Sequence, residues 1–165
     1  MRKTVSLLSF RSSKRGHEQL VTYWHRIKGL ALYPSESQVN PNDLQEHWDN
    51  MFLLEVDREI LVNFRYQYVG PSIVEAYGVD PTGKSHNSNA VPNLRSLLEL
   101  SAKVAINGSI GMDESWFLNN KSQKIMYRCS LVPLCSPGDR AHVHFILGLM
   151  SWRPDNFFQG DDETN

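Results

Sequence analysis

Two histidines near the C-terminal end are the residues in the sequence whose type and spacing best suit catalysis or metal binding. His142 and His144 are two positions apart, so on a strand both side chains project from the same face. Such a pair can bind a metal ion or transfer protons. A catalytic dyad would also need a carboxylate, and Asp113 or Glu114 is the candidate partner of His144. Both histidines lie where a loop leads into a predicted strand, and such positions are usually exposed. We therefore predict no catalytic residue and no metal ligand.

A second motif matches a phosphate-binding loop in its letters. Gly78 to Ser85 reads GVDPTGKS, the spacing of a glycine-rich loop that holds nucleotide phosphates. A working loop lies between a strand and a helix. Here a helical pattern precedes Gly78, Pro81 lies inside the loop, and no helical pattern follows Ser85. The sequence therefore does not predict nucleotide hydrolysis.

The two cysteines, Cys129 and Cys135, lie in one predicted strand region. The two ends of an extended segment are too far apart for a disulfide, whose Cα atoms are about 5.5 Å apart. We expect reduced structural thiols, and a redox switch is the alternative.

Four tyrosines could orient a ligand, because each combines an apolar ring with a hydroxyl that forms hydrogen bonds inside a mostly apolar cavity. They are Tyr66, Tyr68, Tyr77 and Tyr127. Tyr66 and Tyr68 alternate along one strand and are predicted to share a face. Whether such residues line an open pocket or belong to a fully packed core stays open.

A predicted hairpin positions two of these tyrosines. Residues 52–57 alternate between apolar and polar, as a half-buried strand does, and residues 64–68 form a second strand rich in aromatic side chains. A short helix over residues 72–77 follows, because Pro71 suits a first helical turn and Gly78 suits a helix end.

The remaining elements follow from the periodicity of the apolar residues. We predict helices at residues 17–31 and 93–106 and strands at residues 113–119, 124–134 and 141–152. The order is helix, two strands, helices, three strands. It indicates an α+β fold with a five-stranded antiparallel sheet and helices over one face.

The hairpin and the short helix resemble the opening of a PAS sensory domain. The matching runs are FRYQYVG, IVEAYG and DPTGK, and a weaker similarity extends from Tyr23 to Pro154. The chain is similar above all to small stand-alone bacterial PAS proteins typical of alphaproteobacteria. The residues that carry the resemblance are Phe64, Arg65, Tyr66, Val69, Gly70, Ile73, Val74, Glu75, Tyr77, Gly78, Asp80, Thr82, Gly83 and Lys84.

The resemblance implies a ligand site between the inner sheet face and the small helices. The residues predicted to line it are Tyr66, Tyr68, Ile73, Tyr77, Tyr127 and Phe145. It also implies that the first strand lies beside the fifth at mid-sheet, with the N-terminal helix on the opposite face. The cofactor stays unknown. A flavin photosensor of this family needs a cysteine in a run like NCRFLQ, which is missing, and the short helix has no axial histidine for haem. His86 lies beyond that helix.

The predicted N-terminal helix, residues 17–31, is amphipathic. Its apolar stripe contains Leu20, Trp24, Ile27 and Ala31. Two uses of the stripe stay open: packing on its own domain, and joining two copies as the flanking helices of PAS-like proteins commonly do. The second use predicts a homodimer with these residues at the interface.

Composition and charge exclude several protein classes. A net charge of -1 with 41% hydrophobic residues is typical of a globular protein and gives no reason to expect nucleic-acid binding. Residues 1–16 are basic and residues 155–165 are acidic, so we predict flexible arms around one domain at residues 17–154. No run reaches the roughly 18 apolar residues of a membrane span, and Val5–Phe10 is too short for a signal sequence. We expect a cytoplasmic protein.

The resemblance therefore implies a sensory or signalling module without enzymatic activity. It would bind a small apolar ligand, dock on a signalling partner such as a histidine kinase, or do both. No output domain fits in the remaining residues, so a signal would pass through a partner. The alternative is a small cone-shaped α+β enzyme that uses a dyad of His144 and a carboxylate. A scaffold with a closed core is a third possibility.

Overall fold

The computed structural model describes residues 2–60 and 63–156, with side chains from residue 14 onward. This part of the chain contains three α-helices, short 3-10 helices and five strands. In chain order they are α1 (Arg2–Lys28), 3-10 helices at Glu36–Gln38 and Pro41–Asn50, β1 (Met51–Val56), β2 (Phe64–Val69), α2 (Pro71–Tyr77), α3 (Arg95–Asn107), β3 (Gly111–Leu118), β4 (Lys124–Leu134) and β5 (Phe145–Pro154). None of the helices described is long and apolar enough to span a membrane.

The five strands form one antiparallel sheet in the order β2-β1-β5-β4-β3. The first strand lies beside the fifth at the centre, as predicted. The helices α2 and α3 cover one face, which we call the inner face, and α1 covers the opposite, outer face. The α+β fold and the position of the N-terminal helix are thus confirmed.

Each face has its own hydrophobic core. On the inner face, Phe52 packs directly over the backbone of Gly148 on the neighbouring strand, and a Cβ atom at Gly148 would lie 2.2 Å from the Phe52 ring. The outer core joins Leu20 and Trp24 of α1 to strand residues such as Leu149. The sheet is therefore buried on both sides at its centre, which explains the nearly continuous apolar sequence of β5.

The first helix is longer than the sequence pattern indicated. It begins at Arg2, inside the basic segment predicted to have no regular structure, and it ends at Lys28 instead of Ala31. Gly29 explains the earlier end, because it adopts a φ of 55°, a left-handed conformation that stops a helix.

The acidic C-terminal segment begins inside the domain. The Asp155 carboxylate lies 3.4 Å from the Lys124 ammonium, and the Asp155 N–H donates to the Lys124 carbonyl at 2.9 Å. Residues 157–165, the rest of the predicted acidic arm, lie outside the described residues.

Candidate functional site

The short helix α2 is held against the inner face by its glycine and proline neighbours. Pro71 occupies the first turn, and Gly78 ends the helix with a φ of 74°. Gly70 lies so close to the preceding chain that a Cβ atom there would be 2.2 Å from the Asp49 carbonyl oxygen. This geometry turns Ile73 and Tyr77 into the core, where both are fully buried.

Side-chain hydrogen bonds tie the start of α2 to the sheet. The Ser72 hydroxyl accepts hydrogen bonds from the Asn50 amide and from the Trp152 indole N–H, each at 2.9 Å. Because Trp152 belongs to β5, a shift of the start of α2 would displace a side chain of the central strand.

The end of α2 is tied to the turn after β3. The Asn119 amide donates to the Ala76 carbonyl at 3.2 Å, and the Asn120 N–H donates to the Tyr77 carbonyl at 3.1 Å. Both ends of the helix are thus linked to the sheet.

Five ring side chains form a continuous row across the inner face, which we call the aromatic row. The ring centroids of successive members are 5.6, 5.9, 5.3 and 5.8 Å apart. The members, in order, are His86, Tyr66, Tyr77, Phe117 and Tyr127. Tyr66 and Tyr77, near the middle of the row, share a hydrogen bond of 2.8 Å between their hydroxyls. Burial raises the pKa of both tyrosines well above the usual value, so both hydroxyls stay protonated.

Each end of the aromatic row carries a buried polar atom. They are the Nε2 atom of His86 and the hydroxyl of Tyr127. Desolvation lowers the pKa of His86 to about 4, so its imidazole is neutral at physiological pH. His86 Nε2 has no hydrogen-bond partner among the described residues. The Tyr127 hydroxyl lies beside the Ser96 and Ser115 hydroxyls, and Ser96, which donates to the Asp113 carboxylate, can still accept a hydrogen bond from it. Buried polar groups are rarely left unpaired, so His86 Nε2 needs an explanation.

The structure brings four of the six predicted lining residues together on the inner face. Ile73 and Tyr77 come from α2, Tyr66 from β2 and Tyr127 from β4, and all four belong to one core cluster. The sequence pattern did not single out Phe117, which completes the row between the last two tyrosines. Its neighbours Trp116 and Leu118 are apolar too, although both are exposed, so no alternation in the sequence marked Phe117 as the inward residue.

Tyr68 is not on the inner face, and the prediction that it shares a face with Tyr66 is wrong. In the β1–β2 ladder, Leu53 pairs with Tyr68 and Leu54 pairs with Tyr66, so no β1 residue lies opposite Gln67. This extra residue is a β-bulge, which reverses the alternation of side chains along a strand. Tyr68 therefore stacks on Trp48 at the outer face, with ring centroids 4.9 Å apart.

Phe145 also lies on the outer face, contrary to prediction. It pairs with Glu55 and Leu134 and packs against the cluster beneath α1. An all-apolar strand gives no alternation from which the inward residues could be read, so the sequence did not fix which side Phe145 occupies.

The two histidines before β5 do not form the dyad considered for an enzyme. Nε2 of His144 and Nδ1 of His142 both lie 2.9 Å from the same carboxylate oxygen of Asp139. The two histidines lower the pKa of Asp139 to about 2 by hydrogen bonding to it. Glu114 pairs with Arg128 instead, and Asp113 with Ser96. Among the described residues, no group of three potential ligands could hold a metal ion.

The loop whose letters match a phosphate-binding motif has a structural role. Helix α2 precedes it and the next helix begins only at Arg95. The N–H groups of Gly83 and His86 donate to the β2 carbonyls of Tyr66 and Phe64, each at 2.7 Å. These donors are thus used to cover the sheet edge and not to hold a phosphate.

The two cysteines are free and buried. Burial raises the pKa of the Cys129 thiol to about 12, so it is not a reactive thiolate at physiological pH.

On the outer face, α1 is held by a buried histidine that the sequence analysis missed. Nδ1 of His17 lies 2.6 Å from the Ser130 hydroxyl and Nε2 lies 3.0 Å from the Ser151 hydroxyl. Burial, with a contribution from the nearby Arg128, lowers the pKa of His17 to about 4. Its position three residues before Leu20, in phase with the apolar stripe, was the signal that could have identified it.

The apolar stripe of α1 is used inside the chain. Leu20 and Trp24 are buried, and the Trp24 indole N–H donates to the Pro133 carbonyl at 2.7 Å. Ile27 and Ala31 are partly exposed. Of the two uses that the sequence left open, packing on its own domain is present, and pairing of two copies along this stripe stays a prediction.

Comparison with known proteins agrees with the fold. The family model of the PAS domain matches residues 12–151. A light-oxygen-voltage domain studied with a flavin analogue shares 11% identity, with 72% of this chain and 87% of that chain covered and a TM-score of 0.51. The light state of the blue-light photoreceptor Aureochrome1 LOV shares 9% identity, with 70% and 90% covered and a TM-score of 0.48. No curated protein matches the sequence. The chain belongs to the PAS domain family.

Proposed function

We propose that this PAS domain senses a small, neutral, mainly apolar ligand that binds at the aromatic row. The observation that carries the proposal is the buried His86 Nε2 atom, which has no hydrogen-bond partner among the described residues. An unpaired buried polar atom costs about 1 to 3 kcal/mol, and a ligand with a hydroxyl or carbonyl group would remove that cost.

The charge of the surroundings supports a neutral ligand. The core cluster of the inner face consists of hydrophobic side chains. Since His86 is neutral and Tyr127 stays protonated, the row offers hydrogen bonds but no charge to balance an ionised ligand. The full burial of Tyr66, Ile73 and Tyr77 supports a small ligand, because a large one would have to displace these side chains.

The links at the two ends of α2 suggest how binding becomes a signal. A ligand beside Tyr77 would shift α2, and the Ser72 hydrogen bond to Trp152 would pass the shift to β5. The size of the response is limited by the difference in ligand affinity between the two conformations. We propose that a partner protein, such as a histidine kinase, reads this change on a homodimer.

Native mass spectrometry of the purified protein, followed by the same sample after denaturation, tests the proposal. We expect an added mass that disappears on denaturation. His86→Leu should reduce the occupied fraction, because it removes the unpaired hydrogen-bonding atom of the row. Tyr68→Phe is the matched control, since its hydroxyl lies on the outer face, and it should leave the occupancy unchanged. A wild-type protein without an adduct would contradict ligand sensing and leave partner docking as the function.

A further inference from the structure

The two edge strands of the sheet, β2 and β3, differ in their backbone hydrogen bonds. The backbone of residues 83–86 covers β2: the Gly83 and His86 N–H groups donate to it, and the Tyr66 N–H donates to the Lys84 carbonyl at 3.0 Å. At the other edge, β3 has no backbone hydrogen bond to any described segment except β4. One edge is closed by the chain itself and the other is open.

The register of β3 shows which backbone groups are open. It pairs with β4 from Gly111 to Leu118 without a bulge, and the Asn119 N–H donates to the Gln123 carbonyl at 2.9 Å just beyond. Hydrogen-bonded and non-hydrogen-bonded pairs alternate in an antiparallel ladder. The odd-numbered residues of β3 therefore bond to β4. The even-numbered residues turn their N–H and C=O groups to the free edge, and these are Met112, Glu114, Trp116 and Leu118.

Edge strands are normally protected by proline, by charged side chains, especially lysine, or by a bulge. The eight residues of β3, GMDESWFL, contain no proline, lysine or bulge, and the carboxylates of Asp113 and Glu114 are bound to Ser96 and Arg128. Instead, Met112, Trp116 and Leu118 are exposed apolar side chains, with 60%, 52% and 54% of their surface accessible. The open edge thus combines unpaired backbone groups with apolar side chains, which favours pairing with another strand.

We propose that β3 pairs in antiparallel fashion with β3 of a second copy, about a twofold axis at Ser115. Met112 then faces Leu118 of the second copy, and Glu114 faces Trp116 of the second copy. All four outward residues of each strand are paired, which gives about eight backbone hydrogen bonds. This interface differs from the one predicted along α1 and does not depend on a ligand.

Charge complementarity selects this register among its neighbours. The Lys124 ammonium, which also pairs with Asp155, lies 4.7 Å from the centroid of the Trp116 ring, so Glu114 of the second copy would approach a positive charge there. Moving the axis to Glu114 would place two carboxylates directly opposite each other, which is destabilising. Moving it to Trp116 would leave Met112 without a partner residue in the opposite strand.

A charge-swap experiment tests both the surface and the register. Met112→Lys with Leu118→Lys places like charges opposite each other across the axis, and we expect dimer dissociation to become at least about tenfold easier. Met112→Lys with Leu118→Glu removes the same apolar side chains but sets opposite charges face to face, so the dimer should persist. Native mass spectrometry over a range of concentrations gives both results. Both positions are exposed, and thermal unfolding verifies that each variant is folded.

The outcomes separate the possible occupants of the edge. A wild-type monomer would overturn the proposal and leave the edge to an extended peptide of another protein. A dimer that survives the double lysine variant would place the contact elsewhere, for example along α1. Equal weakening in both variants would overturn the register.

A cross-link gives an independent test. In the proposed dimer, Ser115 faces itself in a non-hydrogen-bonded pair, whose Cα atoms are about 4.5 Å apart, within disulfide range. Ser115→Cys should therefore form a covalent dimer under mild oxidation. The buried Cys129 and Cys135 should not compete. Ser109→Cys, exposed just before β3, is the control and should stay monomeric on a non-reducing gel. Absence of the Ser115→Cys cross-link would contradict the twofold axis.

Discussion

The two faces of the sheet each bury one histidine, and the two histidines have different surroundings. On the outer face, both ring nitrogens of His17 have serine partners. On the inner face, His86 stacks on Tyr66 with ring centroids 5.6 Å apart, and its Nε2 atom has no partner among the described residues. Burial lowers the pKa of both to about 4.

The difference is one of hydrogen bonding: His17 is fully paired, and His86 is not. A neutral imidazole has one donor and one acceptor nitrogen, and the Ser130 and Ser151 hydroxyls satisfy both in His17. That contact fixes α1 on the sheet. His86 is also buried and neutral, but its Nε2 atom retains an unused hydrogen bond.

The largest effect that both histidines should share is acid sensitivity. Each has a folded-state pKa of about 4 against an ordinary value of 6.5, so the unfolded chain takes up protons first as the pH falls. The free energy of unfolding should therefore decrease from about pH 6.5 down to about pH 4, by up to about 3 kcal/mol for each histidine. Urea unfolding between pH 4 and pH 8 measures it. Replacing either histidine with leucine should remove part of the slope, and an unchanged slope would contradict a buried neutral state.

At neutral pH, substitution should separate the two histidines. His17→Leu leaves the Ser130 hydroxyl, which is 1% exposed, without its partner and should lower the free energy of unfolding by about 2 to 3 kcal/mol. His86→Leu removes an unpaired nitrogen and should change stability by less than about 1 kcal/mol. Urea unfolding at pH 7.5 gives the comparison. Equal losses in the two variants would contradict the contrast between the faces.

A smaller difference in stability is expected between Phe substitutions of the two tyrosines on either side of the β-bulge. Tyr66→Phe breaks the hydroxyl contact with Tyr77 and leaves a fully buried oxygen without its partner, so it should lower stability by about 1 kcal/mol or more. Tyr68→Phe removes only a part-buried hydrogen bond of 3.2 Å to the Trp48 carbonyl and should lower stability by a few tenths of a kcal/mol. Thermal unfolding of the two variants compares them, and a larger loss for Tyr68→Phe would place the bulge elsewhere.

The sequence predicted the elements well where periodicity and turn residues agree. Residues 124–134 were predicted as a strand and are the bounds of β4, because alternating side chains fill both faces. The ends of α2 were also predicted correctly, because Pro71 after Gly70 suits a first helical turn and Gly78 suits the left-handed conformation that ends a helix.

The candidate site was predictable only in part, because its composition depends on long-range packing. Gln67 has no residue opposite it in the β1–β2 ladder, and this bulge places the Tyr68 side chain on the outer face. Nothing in the local sequence pattern distinguishes a bulge from regular alternation. The pairing of His142 and His144 with Asp139 depends on the loop before β5. The unpaired state of His86 Nε2 depends on every residue packed around it, so only the folded chain shows it.

The most direct test of a ligand site at His86 is the ¹⁵N NMR spectrum of the imidazoles at pH 7. It is recorded on the protein as purified and again after denaturation, removal of small molecules and refolding. We expect the His86 Nε2 resonance to shift between the two samples because its hydrogen-bond partner is lost, while both His17 nitrogens stay unchanged. Identical His86 resonances in the two samples would contradict a ligand bound there.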